Sequence, residues 1–343
     1  MKCIRCGEDS KKKDRSGRVC PKCARRFAFD PAEGDPFTDA AFKHALDVVG
    51  AEGTVRFHRL HVYYQLCRQL PSGGLAETVG NLADTVLGWF SKPAAKVSAV
   101  GLTASSFDTL WRMWVEAHGK PKGVVEATER APRKRSAELE AELEAYSFDR
   151  AVITDQPLLV DVLVANRFHF ENNCALLSVD GHPADAFDTV RKMLRNNPRL
   201  VVVAVHDASV AGCGLAHQLA TDPAWFAGRA RVVDVGLRPE HARLFPRQAR
   251  PLATPPKAPR PPGLSDADWA WLQKGSLSAF VIKPEQLVKR VYKAIVEAEA
   301  PAAGGGDSPG DSSAGSTGGG DVFVYGGFGG DAQTSDGGGD SFG

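Results

Sequence analysis

The sequence predicts an α/β protein with an N-terminal zinc ribbon, a small helical unit, a parallel-sheet domain and a disordered Gly/Asp-rich tail. Three observations predict this. Two Cys-x-x-C pairs, Cys3/Cys6 and Cys20/Cys23, stand thirteen residues apart. From residue 151 onward, short apolar runs alternate with helix-like segments, the pattern of a parallel sheet covered by helices. Beyond residue 300 the composition collapses to Gly, Ser and Asp with a few aromatics, which cannot bury enough apolar surface to fold alone.

Composition sets the outer limits. The chain has 343 residues, 43% of them hydrophobic and 24% charged, an ordinary globular balance with room for more than one domain. The formal net charge of +1 conceals an asymmetry, because residues 301–343 hold six Asp and no Lys or Arg. The first thirty residues hold ten Lys/Arg against four Asp/Glu, so a basic head and body precede an acidic tail. The start, MKCIRCGEDSKKKDR, lacks the apolar stretch of a signal peptide, and no apolar run approaches a membrane span. With seven cysteines, four of them in metal spacing, reduced thiols and a cytoplasmic location are expected, with no membrane partner.

Residues 1–30 read as the ribbon. Each Cys-x-x-C bends the chain so that two thiolates face one ion, and Cys3, Cys6, Cys20 and Cys23 together offer Zn²⁺ a closed tetrahedral, structural site. Residues 36–118 read as helical. Thr38-Asp39 caps a helix carrying Phe42, Leu46 and Val49, with Gly50 near its end. The run TVRFHRLHVYYQLCRQL places Phe57, Leu60, Tyr64 and Cys67 on one stripe and stops at Pro71. Two short helices around a tight turn resemble a helix-turn-helix or winged-helix unit. Residues 106–117 form a further amphipathic helix, capped by Ser106 and ended by Gly119, with Phe107, Leu110, Trp111, Trp114 and Val115 on its core face. Residues 119–136 read as a basic linker.

The α/β domain spans residues 137–245, opening with a helix in ELEAELEAYSF. AVIT, CALLSV, RLVVVAV and RARVVDVG are its strands, and QPLLVDVLVANRF, PADAFDTVRKMLRNN and GCGLAHQLA its helices. Residues 246–263 hold seven Pro and read as a stiff linker. Residues 264–300 form a helical pair, with a Ser265/Asp268 capping pattern and Pro284 in a first turn. Residues 301–343 are the disordered acidic tail.

In an open parallel sheet, ligands gather outside the carboxyl ends of the strands. Here those ends carry Asp155, Asp180-Gly181-His182-Pro183, His206-Asp207-Ala208-Ser209 and Asp234. A single such acid is usually a helix cap. Several on one edge can hold a hard cation such as Mg²⁺ through oxygen, with phosphate among the remaining ligands. His206 beside Asp207 does not extend to a serine triad, since no Gly-x-Ser-x-Gly elbow precedes a helix. Gly212-x-Gly214 lacks the strand context of a dinucleotide fingerprint, and lone histidines such as His44 and His118 read as surface or cap residues.

The order strand-acid, helix, strand-Gly-x-Pro, helix, strand-Asp-x-acid-small-small-Gly, with Ser209 at the second acid position, resembles the Toprim domain. More narrowly it resembles the A subunit of archaeal topoisomerase VI and its meiotic double-strand-break relatives. The matching stretches are Ile153-Thr154-Asp155-Gln156, Gly181-His182-Pro183 and Asp207-Ala208-Ser209-Val210-Ala211-Gly212. That family sets a winged-helix domain before the Toprim domain, with a nucleophilic tyrosine in an Arg-containing Tyr-Tyr motif. Arg59-Leu60-His61-Val62-Tyr63-Tyr64 stands in the corresponding place. The resemblance spans about residues 38–236 and departs at three positions: Asp155 replaces a Glu, Ser209 replaces the second Asp, and Arg59 lies one place further from the tyrosines. It implies catalysis by Tyr64 with Tyr63 beside it, and Mg²⁺ held by Asp155, Asp207 and Ser209. The tyrosine oxygen would attack a phosphodiester and conserve its energy in a phosphotyrosyl bond. It also implies protein partner subunits.

A DNA partner is expected from the basic head. Lys11, Lys12, Lys13, Arg15, Arg18, Arg25 and Arg26 stud the ribbon, Arg59 the helical unit, and Arg133-Lys134-Arg135 the linker. Two functions follow: a DNA-associated Toprim-like protein, either cleaving strands with a metal or binding without cleavage, and a non-enzymatic zinc-ribbon adaptor that contacts protein partners.

Overall fold

The computed structural model describes residues 1–69, 102–126 and 148–299. Arg133–Arg135, most of the ELEAELEAYSF helix and the Gly/Asp-rich tail lie outside them. Residues 1–300 form one compact unit.

The ribbon carries two copies of one knuckle. In the first, the Gly7 amide donates to the Cys3 carbonyl and Cys3 to Glu8; in the second, Ala24 donates to Cys20 and Cys20 to Arg25. Gly7 and Ala24, seventeen residues apart, both take positive φ, which closes the turn under each cysteine pair. Short antiparallel bridges, Lys2 with Asp9 and Val19 with Arg26, fasten each knuckle.

Helix α1 (Asp39–Val49) begins where the Thr38 hydroxyl accepts the Ala41 amide at 3.1 Å, and buries Phe42, Ala45, Leu46 and Val49. A two-residue strand β1 (Phe57–His58) leads into α2 (Arg59–Gln69). Phe57 therefore leaves the expected helical stripe, and the buried face of α2 is His61, Val62, Tyr63, Tyr64, Leu66 and Cys67. Helix α3 (Ala104–His118) starts one turn earlier than expected. Thr103, not Ser106, is its cap, accepting the Ser106 amide at 3.1 Å. Part of the expected linker is structured: β2 (Val124–Val125) pairs in parallel with β1.

The main sheet has four parallel strands in the order β4-β3-β5-β6: β3 Arg150–Thr154, β4 Cys174–Ser178, β5 Val201–Val205 and β6 Arg231–Asp234. Helices α4 (Pro157–Ala165), α5 (Phe168–Glu171), α6 (Phe187–Asn196) and α7 (Val210–Thr221) connect them. Period-two alternation separates the faces. Val152, Leu176, Val203 and Val205 pack with Leu159 and Leu163 of α4 and share their core with the helical unit. Ala151, Ile153, Leu177, Val202 and Ala204 face Leu194 of α6 and Leu215 and Leu219 of α7. From β3 the chain moves outward to β4, then returns past β3 to β5. The order reverses between β3 and β5, where a crevice opens at the strands' carboxyl ends.

The Pro-rich run is more than a linker. Strand β7 (Arg250–Pro251) lies inside it and pairs antiparallel with β8 (Gly275–Ser276), on the far side of α8 (Asp266–Leu272). Ser265 caps α8 as expected, accepting the Asp268 amide. Helix α9 (Pro284–Glu299) buries Leu287, Val291, Ala294 and Ile295 in the first of these cores. Among the described residues no helix is long and apolar enough to cross a membrane.

Candidate functional site

Two places gather chemistry. The first is the ribbon. The sulfurs of Cys3, Cys6, Cys20 and Cys23 lie within 4.8 Å of one another, with Cys3 to Cys23 at 3.8 Å and Cys6 to Cys20 at 3.6 Å. Zinc bonds of about 2.3 Å in a tetrahedron give sulfur–sulfur edges of about 3.8 Å, so the four thiols already stand at metal spacing. Backbone amides of Cys23 and Lys22 pull the Cys20 thiol down to about 7. The Glu8 amide also pulls Cys6 down, but burial and the three neighbouring sulfurs outweigh it and hold Cys6 at about 12. A divalent cation relieves that conflict by stabilising all four thiolates at once. The cluster is compatible with a structural zinc site.

The second is the crevice between β3 and β5. Strand pairing places Thr154 opposite Val205, so the next residues of both strands emerge together. The Asp207 amide donates to both Asp155 carboxylate oxygens, at 3.3 and 3.1 Å. The Asp207 carboxylate is itself filled by donors. Oδ2 accepts Gln156 Nε2 at 2.9 Å, and Oδ1 accepts the Ala279 amide at 2.7 Å and the Ser278 hydroxyl at 3.3 Å. Burial and the neighbouring Asp207 charge push Asp155 up to about 7. Burial also raises Asp207, against the donors from Ala279 and Ser278. Gly212 lets this happen, because a Cβ there would stand 2.2 Å from the Asp207 carbonyl and 2.8 Å from Asp155 Oδ2.

A strap closes the crevice. Ala208 and Leu277 exchange backbone hydrogen bonds at 2.8 and 3.0 Å, which sets the Ser278–Ala279 turn on Asp207. Arg250 of β7 lies over the rings of Tyr63 and Tyr64, at 4.8 and 5.4 Å, and donates to Cys67 Sγ at 3.2 Å. Tyr63 donates its hydroxyl to the Leu102 carbonyl at 3.1 Å. Burial pushes the Tyr64 hydroxyl up to about 12, against the Arg250 charge, and the Asp207 charge adds to the rise. Tyr64 is thus buried under Arg250, with its hydroxyl pKa shifted away from activation.

The other strand-end acids go elsewhere. His206, fully buried, is bonded at both ring nitrogens: Nδ1 to the Asp207 carbonyl at 2.8 Å and Nε2 to Asp234 Oδ1 at 2.9 Å. Both partners are acceptors, so the ring must donate twice and is an imidazolium. Burial works against that charge, but Asp234 and the Asp207 carbonyl outweigh it and raise the His206 pKa. Asp234, resisting burial through its bond to His206, falls to about 2. Asp180 occupies the turn after β4, and His182 pairs with Asp161 at 3.0 Å. Ser209, expected to hold magnesium, instead caps α7 by accepting the Gly212 amide at 2.9 Å. Among the described residues, only the four cysteines bring three or more Cys, His, Asp or Glu ligand atoms together.

The basic residues divide sharply. Arg15 is buried against Asp30 at 3.0 Å, and Arg18 is bonded to Glu33 and Asp35, so both tie the ribbon to the loop that follows rather than face a partner. Arg59 pairs with Asp108 at 2.6 Å on the surface. Lys11, Lys12 and Lys13 are exposed, as are Arg25 and Arg26. His118, the last residue of α3, is exposed as expected, but its ring reaches in to bond the fully buried Asp39 at 2.6 Å. Gln156, Ser278, Ala279 and Arg250 were not expected at the site. Gln156 follows Asp155 directly and was within reach of sequence reasoning; the other three carry no local signal.

No family model matches the chain, and comparison with curated proteins and with solved structures gives no significant match. The resemblance to the topoisomerase VI A subunit therefore stands on its motifs alone.

Proposed function

We propose that this is a DNA-associated protein of winged-helix and Toprim-like design that binds DNA without cutting it. One observation carries the reading: the chain's own donors fill Asp207, and Tyr64 stays buried. A metal-dependent transesterase needs a free carboxylate oxygen for the ion and an ionisable tyrosine. With Ser209 spent as a helix cap, magnesium would find only Asp155 and Asp207, and Ser278 and Ala279 already occupy Asp207 Oδ1. Binding would rest on the zinc-stabilised basic ribbon beside the helical unit, in a cytoplasmic setting.

Fluorescence anisotropy of labelled duplex DNA, with and without Mg²⁺, tests this on the full chain. Binding that weakens steeply with salt, is indifferent to Mg²⁺ and is unchanged in Asp207→Asn is the expected result. Mg²⁺-dependent binding lost in Asp207→Asn would reinstate a working metal site. No binding at low salt would favour the adaptor reading, with protein partners at the ribbon.

A further inference from the structure

The ribbon does not sit flat on the helical unit. A cleft of about 490 Å³ separates them, walled by Arg5, Arg25 and Arg26 of the two knuckles and by His118 at the end of α3, with Phe27 and Asp39 beneath. We propose that this cleft is a phosphate-binding site for a nucleic-acid backbone. The inference rests on the DNA-binding reading above and assigns it a surface.

The cations decide it. Arg15 and Arg18 are consumed by Asp30, Glu33 and Asp35. Arg5 and Arg25, both exposed, have no carboxylate within ion-pair distance among the described residues. Arg26 has only a loose, exposed pair with Glu116 at 3.5 Å, which a phosphate oxygen can displace. Guanidinium groups offer planar pairs of donors that match phosphate oxygens.

The acid beneath does not oppose an anion as a bare carboxylate would. Asp39 is fully buried, and its oxygens accept the Phe29 amide at 2.8 Å, the Ala28 amide at 3.2 Å and His118 Nε2 at 2.6 Å. Those bonds also fix the cleft, because they clamp the end of the ribbon and the last turn of α3 onto one side chain. The His118 ring is further held by Trp114, with centroids 4.5 Å apart. With Nε2 committed to Asp39, His118 shapes the cleft and the phosphate contacts fall to the arginines. Zinc in the ribbon would leave the tetrathiolate with a net charge of −2, which together with Asp39 balances the three arginines, so binding rests on their exposed guanidinium donors rather than on a net positive charge. The volume falls in the range of ordinary ligand sites, enough for a phosphate and its sugar.

The test uses the full, zinc-loaded chain. Arg5→Gln/Arg25→Gln changes two exposed side chains without touching a cysteine, and metal content with thermal unfolding confirms that the ribbon persists. Anisotropy of a labelled DNA duplex over a salt series should show affinity falling about tenfold or more. The log–log salt slope should drop by about two, one for each phosphate no longer neutralised. A control, Lys12→Gln/Lys13→Gln, removes two exposed charges that do not line the cleft and should cost less affinity. If the wild type binds and the arginine variant keeps its affinity and slope, the cleft is wrong and the DNA reading stands. If the wild type binds no DNA at low salt, both fall.

Discussion

The ribbon and the sheet crevice both bring a set of potential ligands to one point, but they treat those ligands differently. The four cysteine sulfurs converge at metal spacing with only amides and one another for company. In the crevice, Asp207 accepts from Gln156, Ser278 and Ala279, while Asp155 receives only the shared Asp207 amide. A ligand set becomes a metal site when the protein leaves it unsatisfied; a set answered by its own chain is a structural lock.

The largest effect should come from breaking the ribbon side of that comparison. Chelation of zinc, or Cys20→Ser, should unfold residues 1–30. Structural zinc contributes on the order of 10 kcal/mol to such units, and the ribbon's own apolar cluster is small. Rapid proteolysis within the first thirty residues, with a stable remainder, is the expected readout.

The crevice side should break by crowding rather than by metal loss. A Cβ at Gly236 would lie 2.2 to 2.4 Å from the His206 ring, which cannot move without losing its bonds to Asp234 and the Asp207 carbonyl. Gly236→Ala should cost about 3 kcal/mol or more in urea unfolding. A cost under about 1 kcal/mol would mean the His206 clamp is loose.

The lock also has a pH signature. Asp155 has its folded pKa raised from 3.8 to about 7, so it binds its proton more tightly in the native state. Its contribution to stability is full below about pH 4 and is lost as pH rises toward 7. Asp155→Asn keeps an oxygen for the Asp207 amide and removes the titration. Relative to wild type it should gain on the order of 2 to 4 kcal/mol between pH 4 and pH 8. Equal stability differences at both pH values would contradict a desolvated, Asp207-coupled acid.

The smallest effect belongs to Arg59. Its pair with Asp108 is exposed on both sides, so Arg59→Ala should change stability by less than about 0.5 kcal/mol. A larger loss would point to a role beyond that ion pair.

What could be read from the sequence follows from how local each signal is. The cysteine spacing announced a site because four thiols need no distant residue to complete them. The strands were legible because each is a continuous apolar run flanked by helix, and Thr38 and Ser265 caps lie within one turn of their partners. Arg15 and Arg18 look like any exposed cation in sequence, and only folding brings Asp30, Glu33 and Asp35 to them. Ser209 as a cap and Ser209 as a metal ligand share one sequence pattern; the Gly212 amide decides between them. Arg250, buried in a proline-rich run, reaches the tyrosines because β7 pairs with a strand about 25 residues later. No local pattern encodes that, nor the strap on Asp207.

The central claim is that this protein binds DNA with its strand-transfer chemistry locked. The most direct measurement is to incubate the full chain with end-labelled supercoiled and linear DNA in Mg²⁺, denature with SDS, and look for nicks and protein-linked DNA. The account predicts retention of DNA before denaturation and neither product after it. A covalent adduct that disappears in Tyr64→Phe would contradict it.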